Sequence, residues 1–458
     1  MTMMMKTSLT IALVLFGAAC GEDDERCDPV ANTGCEDKQA CEVVEGGEPT
    51  CVASVVVLGR VFDLATDAGI AGARVVAVDA NGAAISFVAT TEADGTYTLP
   101  IPTTRLAAGE PAESFQITLR ADAAGYATFP SGIRPALPFD TSIASLTDGR
   151  YEIRSSLTDV GLQAAAAASV GTIQGTVEGN STNTSALVVA EVAGVGYTAL
   201  AARDGGYTIF NVPAGPATVT AYARGHNYTG ASADVPAAGV VDVDLAVSAD
   251  AASTVAGSVS IVNGQMGTAT SVILVVESTF KDAIARGETP PGLRAPDPGV
   301  APNVNGAFSI TGVPAGRYVI LAAFENDFLV RDESSIGGTS IVRQEVVAGQ
   351  DVTIADSFKV TGAVDIVSPG AEGPEMVASA PTFTWLDDSS EDRYAITVFD
   401  ALGTVVWEGG TPKSVVTLPY GGPALQPGRY YQFRVQSIKD PAEVISRSED
   451  LKGVFILP

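Results

Sequence analysis

A short phrase that recurs along the chain constrains its fold more than any other feature. At residues 204–215 the phrase reads DGGYTIFNVPAG, which is an Asp-Gly turn, then alternating strand residues, then a proline that a central strand excludes. It returns at 305–316 as NGAFSITGVPAG and, in shorter form, at 94–100 as DGTYTLP. The copies begin about 100 residues apart, the length of one small β domain. The sequence therefore predicts an all-β fold built as a tandem array.

Composition and charge fit several small folded domains and argue against some functions. The chain has 458 residues, 46% of them hydrophobic, with 48 glycines and 26 prolines, so it is rich in turns yet apolar enough for packed cores. The net charge of −27 repels phosphate backbones, so we expect no nucleic-acid partner. The single histidine, His226, excludes a zinc site built on several imidazoles and any catalytic histidine elsewhere. We expect no metal and no cofactor.

The amino terminus has the pattern of a secretory signal peptide. Residues 1–19 carry one positive charge, Lys6, before an apolar run that is too short to span a membrane as a mature helix. The run ends in small residues directly before Cys20, which resembles the lipobox of bacterial lipoproteins. That resemblance implies cleavage before Cys20 and lipidation of this cysteine, although Gly17 stands where the family usually has an aliphatic residue. An ordinary signal peptide cut near Ala19 is the alternative.

Two features after the lipobox bear on localisation. Gly21 is not the aspartate that retains such lipoproteins at the inner membrane, so the resemblance implies an outer-membrane lipoprotein on the periplasmic or cell-surface face. The acidic run at 22–25 resembles the surface-export tags of some lipoproteins, and its alternative is a solvated tether. We therefore expect an exported protein whose membrane partner is reached through lipid on Cys20.

The other four cysteines fall within one short stretch. Cys27, Cys35, Cys41 and Cys51 form an even set in an exported segment, which predicts two disulfides with three connectivities open. No Cys-x-x-Cys pair occurs, so the spacing supports neither a zinc ribbon nor a thioredoxin-like redox motif. We expect residues 20–51 to form a lipidated tether and a small Cys-rich knot.

Three segments after the knot share one order of motifs. In the first, Gly-x-Val at 59–61 is followed by Gly-Ala at 72–73, Asp-Gly-x-Tyr at 94–97 and Gly-Tyr at 125–126. This order resembles the carboxypeptidase regulatory-like family, whose fold is a prealbumin-like β-sandwich. The resemblance implies Greek-key sandwiches and carries little information on function. The three repeats are predicted at 52–162, 170–248 and 253–362.

The last segment, 366–458, has a different pattern. Its strands carry Trp385 and a Gly-Arg-Tyr-Tyr-Gln-Phe sequence that includes Tyr431. It resembles the fibronectin type III family, which implies a core role for Trp385 and a corner hydrogen bond for Tyr431. Both aromatic residues are structural under this resemblance.

Two proline-containing insertions interrupt the repeats. The first lies at 99–115 and the second at 280–302, which makes the third repeat much longer than the second. We expect the first to be an exposed loop and the second to leave its sandwich as a loop, and long loops are where binding functions concentrate.

One cluster of side chains is a candidate ligand site. Tyr222, His226 and Tyr228 lie near one strand end, with Arg224 beside them, and rings of this kind stack on sugars. The alternative is core and edge packing, which is more common for such residues. A hydrolase that uses His226 as its base is disfavoured, because the sequence has no Gly-x-Ser-x-Gly elbow.

The sequence thus predicts a non-catalytic cell-envelope lipoprotein that presents β-sandwiches for binding or adhesion, with a glycan or an envelope protein as partner. A passive structural stalk is the alternative. The insertion at 280–302 and the cluster at 222–228 separate the two, because a binder needs one of them free to bind.

Overall fold

The structure is a computed structural model. It describes the following residues: 27–29, 32–79, 84–111, 116–130, 139–165, 169–179, 186–264, 266–297, 302–323, 327–332, 341–388 and 390–458. Within them the regular secondary structure is almost all strand, with short 3₁₀ helices at Thr141–Ile143, Ser156–Thr158 and Glu277–Thr279. None of the helices that this part of the chain forms has the length and apolar character to cross a membrane. The predicted signal peptide and Cys20 lie outside the described residues.

The Cys-rich knot is one hairpin closed by two disulfides. Strands β1 (Gln39–Val43) and β2 (Pro49–Ala53) pair antiparallel, with Cys41 directly opposite Cys51. Cys27 is bonded to Cys41 and Cys35 to Cys51, so the two expected disulfides are present and their connectivity is fixed.

The first sandwich places a long central strand against a second sheet. Its strands are β3 (Val55–Asp63), β4 (Arg74–Asp79), β5 (Ala89–Thr90), β6 (Thr96–Ile101), β7 (Gln116–Asp122), β8 (Phe139–Asp140), β9 (Ser145–Thr147), β10 (Arg150–Ile153) and β11 (Val160–Leu162). One sheet has the order β11-β3-β10-β9, with β6 also paired to β3, and the other has the order β5-β4-β7-β8. Val57, Leu99, Ile117 and Ile153 fill the space between them and are fully buried.

The second sandwich is the shortest of the three repeats. Its strands are β12 (Val170–Thr176), β13 (Leu187–Val192), β14 (Val195–Leu200), β15 (Gly206–Pro213), β16 (Gly215–Tyr222), β17 (Asn227–Tyr228), β18 (Ala231–Val235), β19 (Val240–Asp242) and β20 (Val247–Ser248). The sheets run β15-β12-β19 and β14-β13-β16-β18, and β17 pairs with β20. The recurring phrase begins at the turn before β15, as the sequence predicts.

The third sandwich repeats this plan. Its strands are β21 (Ser253–Ile261), β22 (Val272–Val276), β23 (Arg294–Ala295), β24 (Ala307–Val313), β25 (Gly316–Ala322), β26 (Leu329–Arg331), β27 (Ile341–Val346), β28 (Val352–Thr353) and β29 (Phe358–Gly362). One sheet runs β24-β21-β29-β26, with β28 also on β21, and the other runs β23-β22-β25-β27.

The fourth sandwich has a larger sheet and an aromatic core. Its strands are β30 (Ile366–Ser368), β31 (Glu375–Met376), β32 (Thr382–Trp385), β33 (Arg393–Asp400), β34 (Val405–Pro412), β35 (Thr417–Pro419), β36 (Tyr430–Lys439), β37 (Glu443–Arg447) and β38 (Val454–Ile456). Trp385 is 1% exposed, and the Tyr431 hydroxyl accepts a hydrogen bond of 2.9 Å from the Gln426 backbone N–H. These are the core and corner roles that the sequence predicts for the two residues.

One strand in each repeat is buried on both faces. In β22, Val272 and Leu274 face the core of the third sandwich, whereas Ile273 and Val275 belong to a separate apolar cluster on the outer side. The corresponding strands β4 and β13 also divide their side chains between an inner core and an outer contact. The outward residues of these two strands join the apolar cluster of the third sandwich: Val76, Val78, Leu187 and Val189. The repeats therefore pack on one another through apolar surface.

Candidate functional site

The segment with the predicted aromatic cluster is the turn that links β16 to β17. β16 ends at Tyr222 and β17 begins at Asn227, so the turn needs a sharp reversal. Gly225 provides it with φ of +87°, a conformation that residues with a Cβ rarely adopt. The question for a ligand site is where the three candidate rings point.

Tyr222 points into the contact between the second and third sandwiches. Its ring meets that of the fully buried Tyr318 edge to face, with centroids 6.0 Å apart and an interplanar angle of 76°. Burial, with a smaller effect of Glu191, raises the pKa of Tyr222 to about 12. This ring is part of an interdomain contact rather than an open stacking platform.

His226 and Tyr228 lie together on the second sandwich. Their ring centroids are 6.4 Å apart, and the Tyr228 ring packs against the core of that sandwich. The Tyr228 hydroxyl is buried and has no hydrogen-bond partner among the described residues. Burial, and then Glu178, raises the pKa of Tyr228. The structure thus brings two of the three candidates together and directs Tyr222 elsewhere.

The rest of this turn bonds to the third sandwich. Arg224 donates from Nε to the Thr311 carbonyl at 3.2 Å and from Nη2 to the Thr311 hydroxyl at 2.9 Å, and its Nη1 lies 2.8 Å from Asp297 Oδ1. The Gly225 N–H donates to the Gly312 carbonyl at 2.7 Å. The turn at 222–228 is therefore a joint between two sandwiches.

The first and second sandwiches meet through an equivalent joint. The Gly125 N–H donates to Asn211 Oδ1 at 2.6 Å, and Asn211 Nδ2 donates to the carbonyls of Ala123 and Tyr126 at 3.0 and 2.8 Å. Asn211 and Gly312 occupy the same place in the recurring phrase. In both joints, the terminal glycine turn of one repeat docks on that phrase in the next repeat.

The described part of the insertion at 280–302, residues 280–297 and 302, is mostly loop as predicted, but much of it packs against the rest of the protein. Residues 290–296 are all buried. The insertion's Phe280 packs on the outer apolar cluster of the β22 sheet, which contains Ile273, Val275, Val319 and Leu321. The loop packs there because the sheet has an apolar outer face, whose burial is favourable.

A buried guanidinium at this insertion joins three sandwiches. Arg120, on β7 of the first sandwich, has a 5% exposed side chain and lies 3.1 Å from Asp122 and 3.2 Å from Glu288 of the insertion. Its Nη2 also donates to the carbonyl and the hydroxyl of Thr198 on β14, at 3.1 and 3.2 Å. Burial opposes the charge, but Asp122 and Glu288 outweigh it and raise the pKa of Arg120 above its ordinary value. We call this group the three-way junction.

The insertion also reaches the fourth sandwich. Lys281 Nζ donates to the Leu402 carbonyl at 3.2 Å, and Ile284 packs beside Gly403. Burial lowers the pKa of Lys281, although Glu288 and Asp400 act in the opposite direction.

The third and fourth sandwiches share a second buried charged cluster, of one carboxylate and two guanidinium groups. Asp450 lies 3.3 Å from Arg331 Nη1 on β26 and 2.6 Å from Arg434 Nη2 on β36, and all three side chains are less than a tenth exposed. Burial alone would raise the pKa of Asp450, but Arg331 and Arg434 hold it well below its ordinary value.

The knot is joined to the first sandwich in a similar way. Arg105 is 1% exposed and its Nε pairs with Glu42 of β1, while the Thr103 hydroxyl donates to the same carboxylate at 3.3 Å. The Glu45 N–H donates to the Arg105 carbonyl at 2.9 Å. The insertion at 99–115 was predicted as an exposed loop. Its described part instead carries buried residues that bond to the knot, because these residues follow closely after the end of β6.

Sequence reasoning missed the charged residues of these joints. Arg120 and Arg434 stand inside apolar strands, where a charge is costly unless it has a partner. That position is the available signal, since buried arginines are almost always paired. It does not identify the partner, because Glu288 lies 168 residues after Arg120.

No family model matches the chain, and no curated protein matches it. Among solved structures, the chain is similar to a DUF3823 family protein from Bacteroides uniformis, with 12% identity over 45% of this chain and 100% of the other and a TM-score of 0.19. It is also similar to GBS52, a minor pilin of Streptococcus agalactiae, with 11% identity over 43% and 99% of the two chains and a TM-score of 0.18. The Bacillus anthracis TIE protein is similar at 11% identity over 87% and 72%, with a TM-score of 0.16. We draw no function from these similarities.

Proposed function

We propose that this protein is an exported, lipid-anchored and non-catalytic scaffold of the cell envelope. The three-way junction carries the proposal. There one buried arginine bonds to groups from the first, second and third sandwiches, and the same insertion contacts the fourth. A chain held in this way acts as one rigid body rather than as modules on flexible linkers.

The two features on which a binding function would depend are used inside the molecule. Phe280 of the insertion packs on the apolar outer face of a sheet, and Tyr222 packs on Tyr318. This favours the scaffold over a glycan binder that works through those groups. Binding or adhesion to a glycan or an envelope protein is retained as a second proposal at His226 and Tyr228, because the Tyr228 hydroxyl has no hydrogen-bond partner in the described part of the chain.

The anchor fits a rigid scaffold. Cys20, the proposed lipid site, precedes the disulfide-bonded Cys27 by seven residues, which span at most about 25 Å. The knot in turn is held to the first sandwich by the buried Glu42–Arg105 pair. A lipid on Cys20 would therefore keep the body close to the membrane and limit its rotation.

The experiment combines cell fractionation with a pull-down. Wild type is expected in the outer-membrane fraction, and Cys20→Ala in the soluble exported fraction. Purified wild type and a His226→Ala/Tyr228→Phe variant are then incubated with envelope glycans and solubilised envelope proteins. A scaffold retains the same partners in both, whereas a partner lost only from the variant supports the binding proposal. Membrane retention of Cys20→Ala would contradict the lipid anchor.

A further inference from the structure

The four cysteines of the knot converge on one small volume. The Sγ atoms of Cys27, Cys35 and Cys51 all lie within 4.8 Å of one another, although they belong to two different disulfides. The fourth sulfur, that of Cys41, is bonded to Cys27. The two disulfides are therefore adjacent, with their sulfurs in a single cluster.

The local fold explains this convergence. Cys41 and Cys51 face each other across the β1–β2 hairpin, and each is bonded to a cysteine of the preceding loop. That loop approaches closely at Gly34, where a Cβ would lie only 2.9 Å from the Cys27 Cα. Gly34 also has φ of +86°, so both its space and its conformation require glycine.

We propose that the reduced knot binds one soft divalent cation of the Zn²⁺ type through the thiolates of Cys27, Cys35, Cys41 and Cys51. With Zn–S bonds of about 2.3 Å, the sulfurs of a tetrahedral site lie about 3.8 Å apart. The Sγ atoms of Cys35 and Cys51 already lie within 4.8 Å of the Cys27 Sγ. The two sulfurs within each disulfide must move apart, and the Cys41 Sγ must approach those of Cys35 and Cys51, which rotations of the cysteine side chains allow.

The chemistry balances with a phosphine as the reductant. Each disulfide reacts with one phosphine and one water, giving two thiols and one phosphine oxide. The four thiols then release four protons as their thiolates bind one divalent cation. The half-buried Cys35–Cys51 bond is the more accessible of the two, because Cys27 and Cys41 are buried.

The knot needs a cross-link of one kind or the other. Its buried apolar residues besides the cysteines are few, chiefly Ala40 and Val52. A hairpin of this size with so small a core does not hold its fold without disulfides or a metal. The spacing of the cysteines argues against a zinc ribbon. Spacing alone does not show, however, that the hairpin register and the close approach at Gly34 cluster Cys27, Cys35 and Cys51, with Cys41 bonded to Cys27.

The test uses the full-length chain, reduced with a phosphine and kept free of oxygen. Co²⁺ is added stepwise and the thiolate-to-cobalt absorption is recorded, and Zn²⁺ is then added to displace the cobalt. We expect one metal per chain with a tetrahedral thiolate spectrum and release of four protons. Cys20→Ala is the matched control and should bind equally. In Cys35→Ser/Cys51→Ser, the affinity for the metal should fall by more than roughly 100-fold. A loss of that size is typical when residues around an intact set of metal ligands are changed.

Two results would overturn the proposal. One is a reduced wild type that takes up less than one metal per chain, and the other is a double variant that binds as tightly as wild type. Emission from Trp385 and Trp407, both in the fourth sandwich, reports that the body stays folded. Reduction does not act on the body directly, because the chain has no cysteine after Cys51. The result is independent of where the protein is anchored.

Discussion

Replacing Arg120 with alanine tests whether the three-way junction locks the sandwiches together. The change leaves the carboxylates of Asp122 and Glu288 without their shared cation, and the side chain of Asp122 is only 9% exposed. Removing one partner of a buried ion pair typically costs about 3–5 kcal/mol. The Glu288 side chain is 32% exposed, so solvent offsets part of its loss and the expected cost lies near the lower end, about 3 kcal/mol.

Unfolding is measured first in urea and then by calorimetry, with Arg150→Ala as the control variant. Arg150 pairs with Glu152, two residues along the same strand, just as Arg120 pairs with Asp122. The side chains of Arg150 and Glu152 are more exposed, however, and both belong to the first sandwich. We expect the control to cost no more than about 1 kcal/mol. We also expect Arg120→Ala to split the wild-type transition, because the sandwiches then unfold separately.

The junction does not couple the sandwiches if Arg120→Ala and Arg150→Ala lose the same small free energy of unfolding and keep the same number of transitions. A double-mutant cycle with Glu288→Gln measures the pair itself, and a coupling energy near zero would lead to the same conclusion.

Two further predictions concern the other joints. Asp450→Ala should cost about 3–5 kcal/mol, because it leaves Arg331 and Arg434 buried without their carboxylate. Because the folded-state pKa of Asp450 is lowered, its contribution to stability is present above the ordinary aspartate pKa of about 3.9 and is lost as pH falls below it. The free energies of unfolding of wild type and Asp450→Asn should therefore depend differently on pH in that range. Identical pH dependences would contradict the prediction. Asn211→Gly keeps the left-handed backbone but removes three hydrogen bonds, so the joint between the first and second sandwiches should weaken by about 1–3 kcal/mol in urea unfolding. An unchanged urea midpoint and slope would show that those bonds contribute nothing.

The recurring phrase predicts the fold well because it encodes local structure. Its Asp-Gly turn, alternating strand and closing proline act over a dozen residues, and the strand bounds of β15 and β24 follow from them. The roles of Trp385 and Tyr431 were predicted for the same reason, since a core ring and a corner hydroxyl depend on neighbours within one sandwich.

The joints could not be predicted in the same way, because they depend on how the sandwiches are oriented. One signal was present in the continuous apolar run of β22. Apolar and polar residues alternate along a strand with one buried face, whereas a strand with two buried faces is apolar throughout. That run indicates that something covers the outer face. It does not identify the insertion as the cover, and the extra length was interpreted as a free loop instead.

The candidate site shows the same difference between local contacts, which the sequence predicts, and contacts between sandwiches, which it does not. The sequence places Tyr222, His226 and Tyr228 close together along the chain, and two of them do meet in space. Tyr222 turns away because Tyr318 of the next sandwich offers an aromatic contact. The partners of Arg120 come from three sandwiches, so no local pattern contains all of them.

The most direct test of a locked body is a distance distribution between distant sandwiches. Spin labels on cysteines introduced at the exposed Ser232 and Thr417, in a Cys20→Ala background, report the second and fourth sandwiches by pulsed electron paramagnetic resonance. The account predicts a single narrow distance distribution that broadens when Arg120 and Asp450 are both replaced by alanine. A broad distribution in the parent protein would contradict it, because the sandwiches would then move independently.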